Sequence, residues 1–538
     1  CPGGDEEIGD DEKEGLAAEL REVGCVPVYV DPGLLAEAEG ISGEVLWPLF
    51  HYIPLSMLDC DTDVIHQRWP AYEAVNAAYT RAVVAQKMTA GDLVWVHDFQ
   101  LMVLPRMLRE ALPKLKIGWF LHTPFPSSEI YQTLPLRKEI MRGVLASDLV
   151  GFQIYDYVRH FMNACSRVLS TDINVDSKYI LDAPGSVALA DGKTRTAVAV
   201  DAFPSGIDQA RFERMLSSPE LHTKLGELER RFDGKRLILG VDRIDYVKGI
   251  PHKLLAFEKF LHNNPQEAGK LILVQIAPPP KKDTVRYQKL RNKVHKLVGR
   301  INGRFGTLEH SPIHYLDRAI SFCELCALYL MADVALITSL REGMSKVAFE
   351  FIACQEIAQG DGFAAAASTS EKAGTAPAAS PRLGVLILSE FVGATQTLGS
   401  GALLVNPFNS DEVAKAISDA LAMEAKEVEE NHNNLSEYVS KFTLQYWADD
   451  FVTELLTQEH EVEVQQLSMP KELPTRSVCE AYRPAGKRLI VLGLLGTLID
   501  YTAFTGMEPV SDALWKDLLA LSQAPRNTVV VVSGRERA

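Results

Sequence analysis

The sequence predicts an α/β protein with two doubly wound domains and a short third α/β segment at its C-terminal end. Two observations carry this. Aliphatic and β-branched runs of strand length alternate with helical periodicity from Val26 to Val200 and again from Leu237 to Val405, the pattern of mainly parallel sheets with helices on both faces. Several of these runs end on loops that carry charge, histidine or proline, among them Asp98, His122 and the pair Arg243 and Lys248. Ligands of open α/β sheets bind outside the carboxyl ends of the strands. These residues are therefore the first candidates for a site.

The stretch Cys1–Gly15 is acidic and glycine-rich. Leu16–Val23 follows as a helix and Val26–Val30 as a strand, so the chain starts on the second half of a βαβ unit and reads as a fragment. Gly3-Gly4 has no strand before it and is not a phosphate loop. In LWPLFHY, Leu46–Tyr52, Trp47 offers a large rigid surface, and its plainest reading is a core tryptophan. A helix Tyr72–Met88 and a strand Leu93–Val96 lead to HDFQL, where Asp98 can accept from sugar hydroxyls or cap a helix Leu101–Ala111. The strand Ile117–Leu121 delivers His122 into a loop stiffened by Pro124 and Pro126. A strand Asp148–Gln153, a helix Tyr157–Leu169 and a strand pair within residues 170–200 complete a first domain, 1–206.

The second domain, 207–437, opens on the strand Leu237–Val241, with Gly249 and Pro251 at the change from loop to helix. Between them Arg243 and Lys248 put a guanidinium and an ammonium beside a helix start, which suits phosphate or diphosphate; alone, an R-x4-K pair is two solvated loop cations. A helix Leu254–His262, a strand Lys270–Ile276 and a helix Asp283–Val298 come next, with Arg300 beyond the last. The strand Val334–Ile337 runs into LREGMSKVAFEF, whose helix from Ser345 to Cys354 aims its first N–H groups at the crevice, with Lys346 beside them. Glu350, about a turn inside, can accept two hydroxyls. Ala358–Arg382 is low in complexity and reads as a disordered insertion. Strands Gly384–Leu388 and Ala402–Val405 follow, then a helix Tyr438–Leu456, a linker Glu461–Gly486 and strands Arg488–Leu492 and Val529–Ser533.

Composition narrows the function. The net charge of −16 comes with no basic block, which argues against nucleic acid or an anionic membrane as partner. Of eight cysteines only Cys323 and Cys326 form a C-x-x-C pair, inside an apolar helical run with no second pair to complete a zinc site. No apolar run reaches about 18 residues and no signal peptide is visible, which predicts a soluble, cytoplasmic chain.

LWPLFHY, HDFQL, LHTPFPSSEIY, VGRINGRFG and SLREGMSKVAFEF lie at the spacings of trehalose-6-phosphate synthases, and from about Cys25 to Leu456 the chain resembles that family of retaining glycosyltransferases. The resemblance implies two Rossmann-like domains facing a cleft, the GT-B architecture, with residues 438–460 returning to the first domain. It implies transfer of glucose from UDP-glucose to glucose 6-phosphate with retention, giving trehalose 6-phosphate without a metal or other cofactor. The catalytic residues it implies are Asp98, His122 and Glu342, which position the sugars in the absence of a dedicated protein nucleophile. On the donor it implies Arg243, Lys248, Ile320, Lys346, Val347 and Glu350, with Ile320 acting through its backbone at the uracil. On the acceptor it implies Trp47, Asp98 and Arg300, and as assembly states a homo-oligomer or a complex with other trehalose-synthesis subunits. The chain departs from the family at Ala38, where a tyrosine contacts the acceptor phosphate, at Phe99, Gln100 and Gln153, and at Glu342, Ser345 and Lys346, where R-D-G-M-N-L is usual. From Arg488 the chain resembles the opening of trehalose-phosphate phosphatases, a haloacid-dehalogenase-like fold, with Gly493 and Leu495 in place of both motif aspartates. That segment, 487–538, is expected to be catalytically dead, since neither residue can attack phosphorus or hold magnesium. These departures keep a second reading open, a catalytically impaired regulatory subunit that binds nucleotide sugar or sugar phosphate.

Overall fold

The computed structural model describes residues 9–57, 61–89, 91–169, 179–181, 197–280, 285–360, 363, 382–468, 482–493 and 512–532. It divides into two compact units, 1–459 and 460–538.

In the first unit, β1 (Leu93–His97), β2 (Lys116–Leu121), β3 (Leu149–Phe152), β4 (Tyr179–Leu181) and β5 (Ala197–Ala202) form one sheet in the order β1-β2-β3-β5-β4. All neighbours are parallel except β4, which runs antiparallel to β5. The VGF and IGWFL runs of β3 and β2 are buried on both faces, as a sheet covered by helices on two sides requires. β6 (Arg236–Val241), β7 (Leu271–Ile276), β8 (Ile313–Leu316), β9 (Val334–Ile337), β10 (Val385–Ser389) and β11 (Leu403–Val405) form an all-parallel sheet in the order β11-β10-β9-β6-β7-β8. From β6 the chain steps outward through β7 and β8, then returns to the other side of β6 for β9. The order therefore reverses between β6 and β9. In the second unit β12 (Arg488–Gly493) and β13 (Asn527–Val532) pair in parallel, with the helix Asp512–Gln523 between them in sequence.

Helix bounds differ from expectation at several ends, as in Thr62–Ala85, Leu104–Ala111 and Val285–Phe305, and three predicted elements differ in kind or continuity. Val26–Val30 is in no helix and joins neither sheet among the described residues; Val26 and Tyr29 are each 43% exposed, so no burial rewards a ladder there. The predicted helix Tyr438–Leu456 is two helices, Ala425–Lys441 and Leu444–Ser468, broken at Phe442 and Thr443. The break has a cause. At Gly206 a Cβ would lie 1.9 Å from the Phe442 carbonyl oxygen, and Leu444 N–H donates to the Ile207 carbonyl at 3.0 Å. Backbone bonded to backbone here cannot also continue an α-helix. The Leu444–Ser468 helix lays Trp447 and Phe451 on the first sheet, where Phe451 stacks on Trp95 at 4.3 Å and meets Phe203 at 5.0 Å. It also runs past Glu461, where a linker is expected, because EHEVEVQQL contains no helix breaker.

Cys323 and Cys326 are buried free thiols on the helix Phe322–Met331. No helix among the described residues is long and apolar enough to cross a membrane. Most of the Ala358–Arg382 stretch, Gly3-Gly4, Leu495 and Ser533 lie outside the described residues.

Candidate active site

The reversal between β6 and β9 fixes where a ligand can sit, because the connections on either side diverge and leave a crevice at the carboxyl ends. Asp242, Arg243 and Lys248 follow β6, and Thr338 to Lys346 follow β9. The two loops are fastened together. Gly249 has φ +66°, and a Cβ there would lie 2.1 Å from the Thr338 carbonyl oxygen; Leu340 N–H donates to the Val247 carbonyl at 2.7 Å. Only glycine meets both demands.

Above these loops opens a cavity of about 450 Å³. Its wall takes His122 and Gln153 from the first sheet, and Arg243, Lys248, Ile320, Glu342, Lys346 and Val347 from the second. Lys346 begins the helix Lys346–Ala358, and the side chain of its N-cap Ser345 makes no capping hydrogen bond, so it satisfies none of the first-turn N–H groups. Lys248 Nζ pairs with Glu342 Oε1, while Ser339 Oγ donates to Glu342 Oε2 at 2.8 Å. The longer arm of glutamate, compared with aspartate, spans this gap. Lys248 is thus already paired, and an anion that bound it would have to displace a carboxylate. Glu342→Gln is expected to bind UDP, used as a diphosphate probe, several-fold more tightly than the parent, since an amide cannot hold Lys248 by charge. Weaker UDP binding by calorimetry would remove Lys248 from the diphosphate site.

Trp47 and Asp98 stand beside the cavity rather than in its wall. Trp47 packs on His51 and Phe99, at 4.1 and 5.9 Å between ring centres, and is only half-buried. Arg243 reaches across to it from the second sheet, with Cζ 5.9 Å from the ring. Asp98 has φ +71°, rare for a residue with a side chain. Its N–H donates to the Phe120 carbonyl at 2.7 Å, and its Oδ1 accepts from His122 N–H at 3.3 Å. It makes no side-chain cap, so the helix-capping alternative is not what the structure shows. Burial pushes its carboxyl up to about 6. Burial, with His97 and Lys346 close by, holds His122 down at about 4, so the ring is neutral at pH 7.

These two shifts act in opposite senses on stability. The His122 contribution is complete above its ordinary 6.5 and is lost as pH falls toward 4, about 3 kcal/mol at 1.36 per unit. For Asp98 the folded state gains as pH falls from 6 toward 3.8, by a similar amount of about 3 kcal/mol. Asp98→Asn removes only the second, so its Tm is expected to fall more steeply between pH 6.5 and 4 than that of the parent. Parallel Tm curves would show that the two groups do not offset.

Two expected donor and acceptor residues sit elsewhere. Glu350 is off the cavity wall, and its Oε2 accepts from Tyr329 OH at 2.8 Å. Arg300 does not reach the cleft at all. The predicted helix ending at Val298 runs on to Phe305, which carries Arg300 along its outer face to pair with Glu258 of the helix Ile250–Asn263, beside Lys259, His262 and Arg304. Several contacts across the cleft escaped sequence reading. Tyr157 OH donates to the Glu342 carbonyl at 3.2 Å, Arg341 stacks over the Tyr52 ring at 4.1 Å, and Gln396 donates to Asp156 at 2.9 Å, all joining the two sheets' halves. Directly before Arg243, Asp242 is buried with Lys253 at 2.5 Å and Gln275 at 3.1 Å.

Residues 5–457 match glycosyltransferase family 20. The chain is 43% identical over 538 residues to alpha,alpha-trehalose-phosphate synthase [UDP-forming] 1 of Arabidopsis thaliana, covering 98% of this chain and 53% of that protein. It thus spans about half the length of that relative. Among solved structures it is similar to the N-terminal domain of Candida albicans trehalose-6-phosphate phosphatase, with TM-score 0.70, 31% identity and coverage of 84% and 87% of the two chains. It is similar as well to a UDP-forming alpha,alpha-trehalose-phosphate synthase of Burkholderia xenovorans solved with glucose-6-phosphate, with TM-score 0.68, 29% identity and coverage of 79% and 85%. The two facing α/β sheets, with the crevice between β6 and β9 lined from both, are thus the GT-B frame of those relatives, and this chain belongs to glycosyltransferase family 20.

Proposed function

We propose that the chain transfers glucose from UDP-glucose to glucose 6-phosphate with retention, giving trehalose 6-phosphate and UDP. One observation carries the reading: Arg243, Lys248 and Lys346 converge with the start of the Lys346–Ala358 helix on one cavity at the strand-order reversal. Three cations and aligned N–H groups suit a departing diphosphate, whose negative charge grows as the bond to the sugar breaks. Val347 and Ile320 line the same cavity and fit the nucleotide, while Glu350, off the wall and held by Tyr329, is not among the residues that line it. Glu342 takes donor sugar hydroxyls once the diphosphate has freed it from Lys248. Asp98, fixed in its left-handed backbone beside His122, presents an acceptor for the second sugar, with Trp47 as a wall.

A second reading, a subunit that binds these ligands without turning them over, draws on the acceptor side. Ala38 is buried in the helix Pro32–Ile41, and Arg300 is paired outside the cleft, so neither supplies a ligand for an acceptor phosphate. The deciding experiment is UDP release at saturating UDP-glucose with glucose 6-phosphate titrated in, and product configuration read by NMR. Acceptor-dependent release with α,α-product supports the synthase. Tight UDP-glucose binding without such release supports the binding subunit.

A further inference from the structure

The ring of His122 is held by protein at both nitrogens. Gln153, immediately after β3, is 1% exposed, and the main-chain N–H of Ser205 lies 3.0 Å from its Oε1. A main-chain N–H can only donate, so the amide atom facing it is the oxygen, and the amide nitrogen is the atom 3.5 Å from His122 Nδ1. Nδ1 then accepts, and a neutral imidazole must carry its proton on Nε2. That nitrogen lies 3.2 Å from His97 Nδ1, which accepts in turn. One backbone N–H thus orders every proton along Ser205, Gln153, His122 and His97. Trp447 packs on both imidazoles, at 5.7 and 6.1 Å between ring centres, and keeps their planes in place. His97 and Lys346 act on the His122 ring by charge, Asp98 accepts from its main-chain N–H, and Arg243, Lys248 and Glu342 line the same cavity. Among the described residues no carboxylate bonds either ring nitrogen.

We infer that Gln153 is a positioning residue which, anchored by Ser205, locks His122 as the Nε2–H tautomer and takes it out of acid–base chemistry. His122 then meets a bound sugar through its backbone and ring face, and the acceptor proton goes to another group. The inference rests on the reading of this cavity as the donor-sugar site.

The tautomer itself is the test, read from long-range proton–nitrogen correlation spectra of histidine-labelled protein, with His122 assigned by comparison with His122→Gln. At pH 7 the parent is expected to show His122 protonated on Nε2 alone. Gln153→Met keeps the volume and deletes the donor; it is expected to give mixed tautomers and to lower kcat about 10- to 100-fold, with KM for glucose 6-phosphate unchanged, as for a misplaced group. Gln153→Glu offers only acceptors, so a proton moves to Nδ1 and a new ionisation enters the kcat/KM profile. A parent protonated on Nδ1, or a Gln153→Met spectrum identical to the parent's, overturns the inference. If the protein transfers no glucose, the synthase reading fails while the spectra still decide the tautomer.

Discussion

Replacing Arg243 and Lys248 together by alanine is expected to weaken UDP binding by roughly 100- to 10,000-fold. Charge-assisted contacts contribute about 1.5 to 3 kcal/mol each, and each 1.4 kcal/mol is about tenfold. The upper half of that range is the better guide, because the double variant leaves Glu342 with the Ser339 hydroxyl but without the charge of Lys248, a negative group in the wall of the proposed diphosphate site. Calorimetric titration with UDP measures it directly. A loss smaller than tenfold would move the diphosphate away from the loop after β6.

Lys253→Met is expected to cost about 3 to 5 kcal/mol of stability, the cost of removing one partner from a buried ion pair. Lys253 is completely buried, and its ammonium neutralises Asp242, itself 6% exposed. The variant keeps a carboxylate in the core with, among the described residues, the Gln275 amide to solvate it. Adding Asp242→Asn removes the orphaned charge and is expected to recover much of the loss, an outcome that separates electrostatics from packing. Denaturant unfolding of parent, single and double variants gives both numbers. If the single variant loses under 1 kcal/mol, the pair is not what holds the strand end beneath Arg243.

Strand positions and the residues just past them were legible because period and burial coincide: Leu237 to Val241, Ile117 to Leu121 and Val334 to Ile337 each became strands. Lys253 was not, since a lysine one turn into a helix reads as solvent-facing, and only the tertiary fold puts Asp242 over it. Arg300 was misplaced by a helix boundary, the least certain feature of any periodic pattern. The break at Phe442 was invisible for a different reason. It is set by backbone contact with Gly206, 236 residues away, and no local propensity records that.

That same contact says how the cleft can move. The chain passes from the first half of the unit to the second between Phe203 and Asp208, and back again at Phe442 and Thr443. Both passages lie at one place and are hydrogen-bonded to each other, through Leu444 to Ile207 and through Gln209 to Val439 at 3.0 Å. A single tether would let two bodies slide, twist and swing; two tethers tied together suppress sliding and leave rotation about the tie. Rotation about that tie would have to part the contacts that cross the cleft, among them Arg341 on Tyr52, Tyr157 on Glu342 and Gln396 on Asp156.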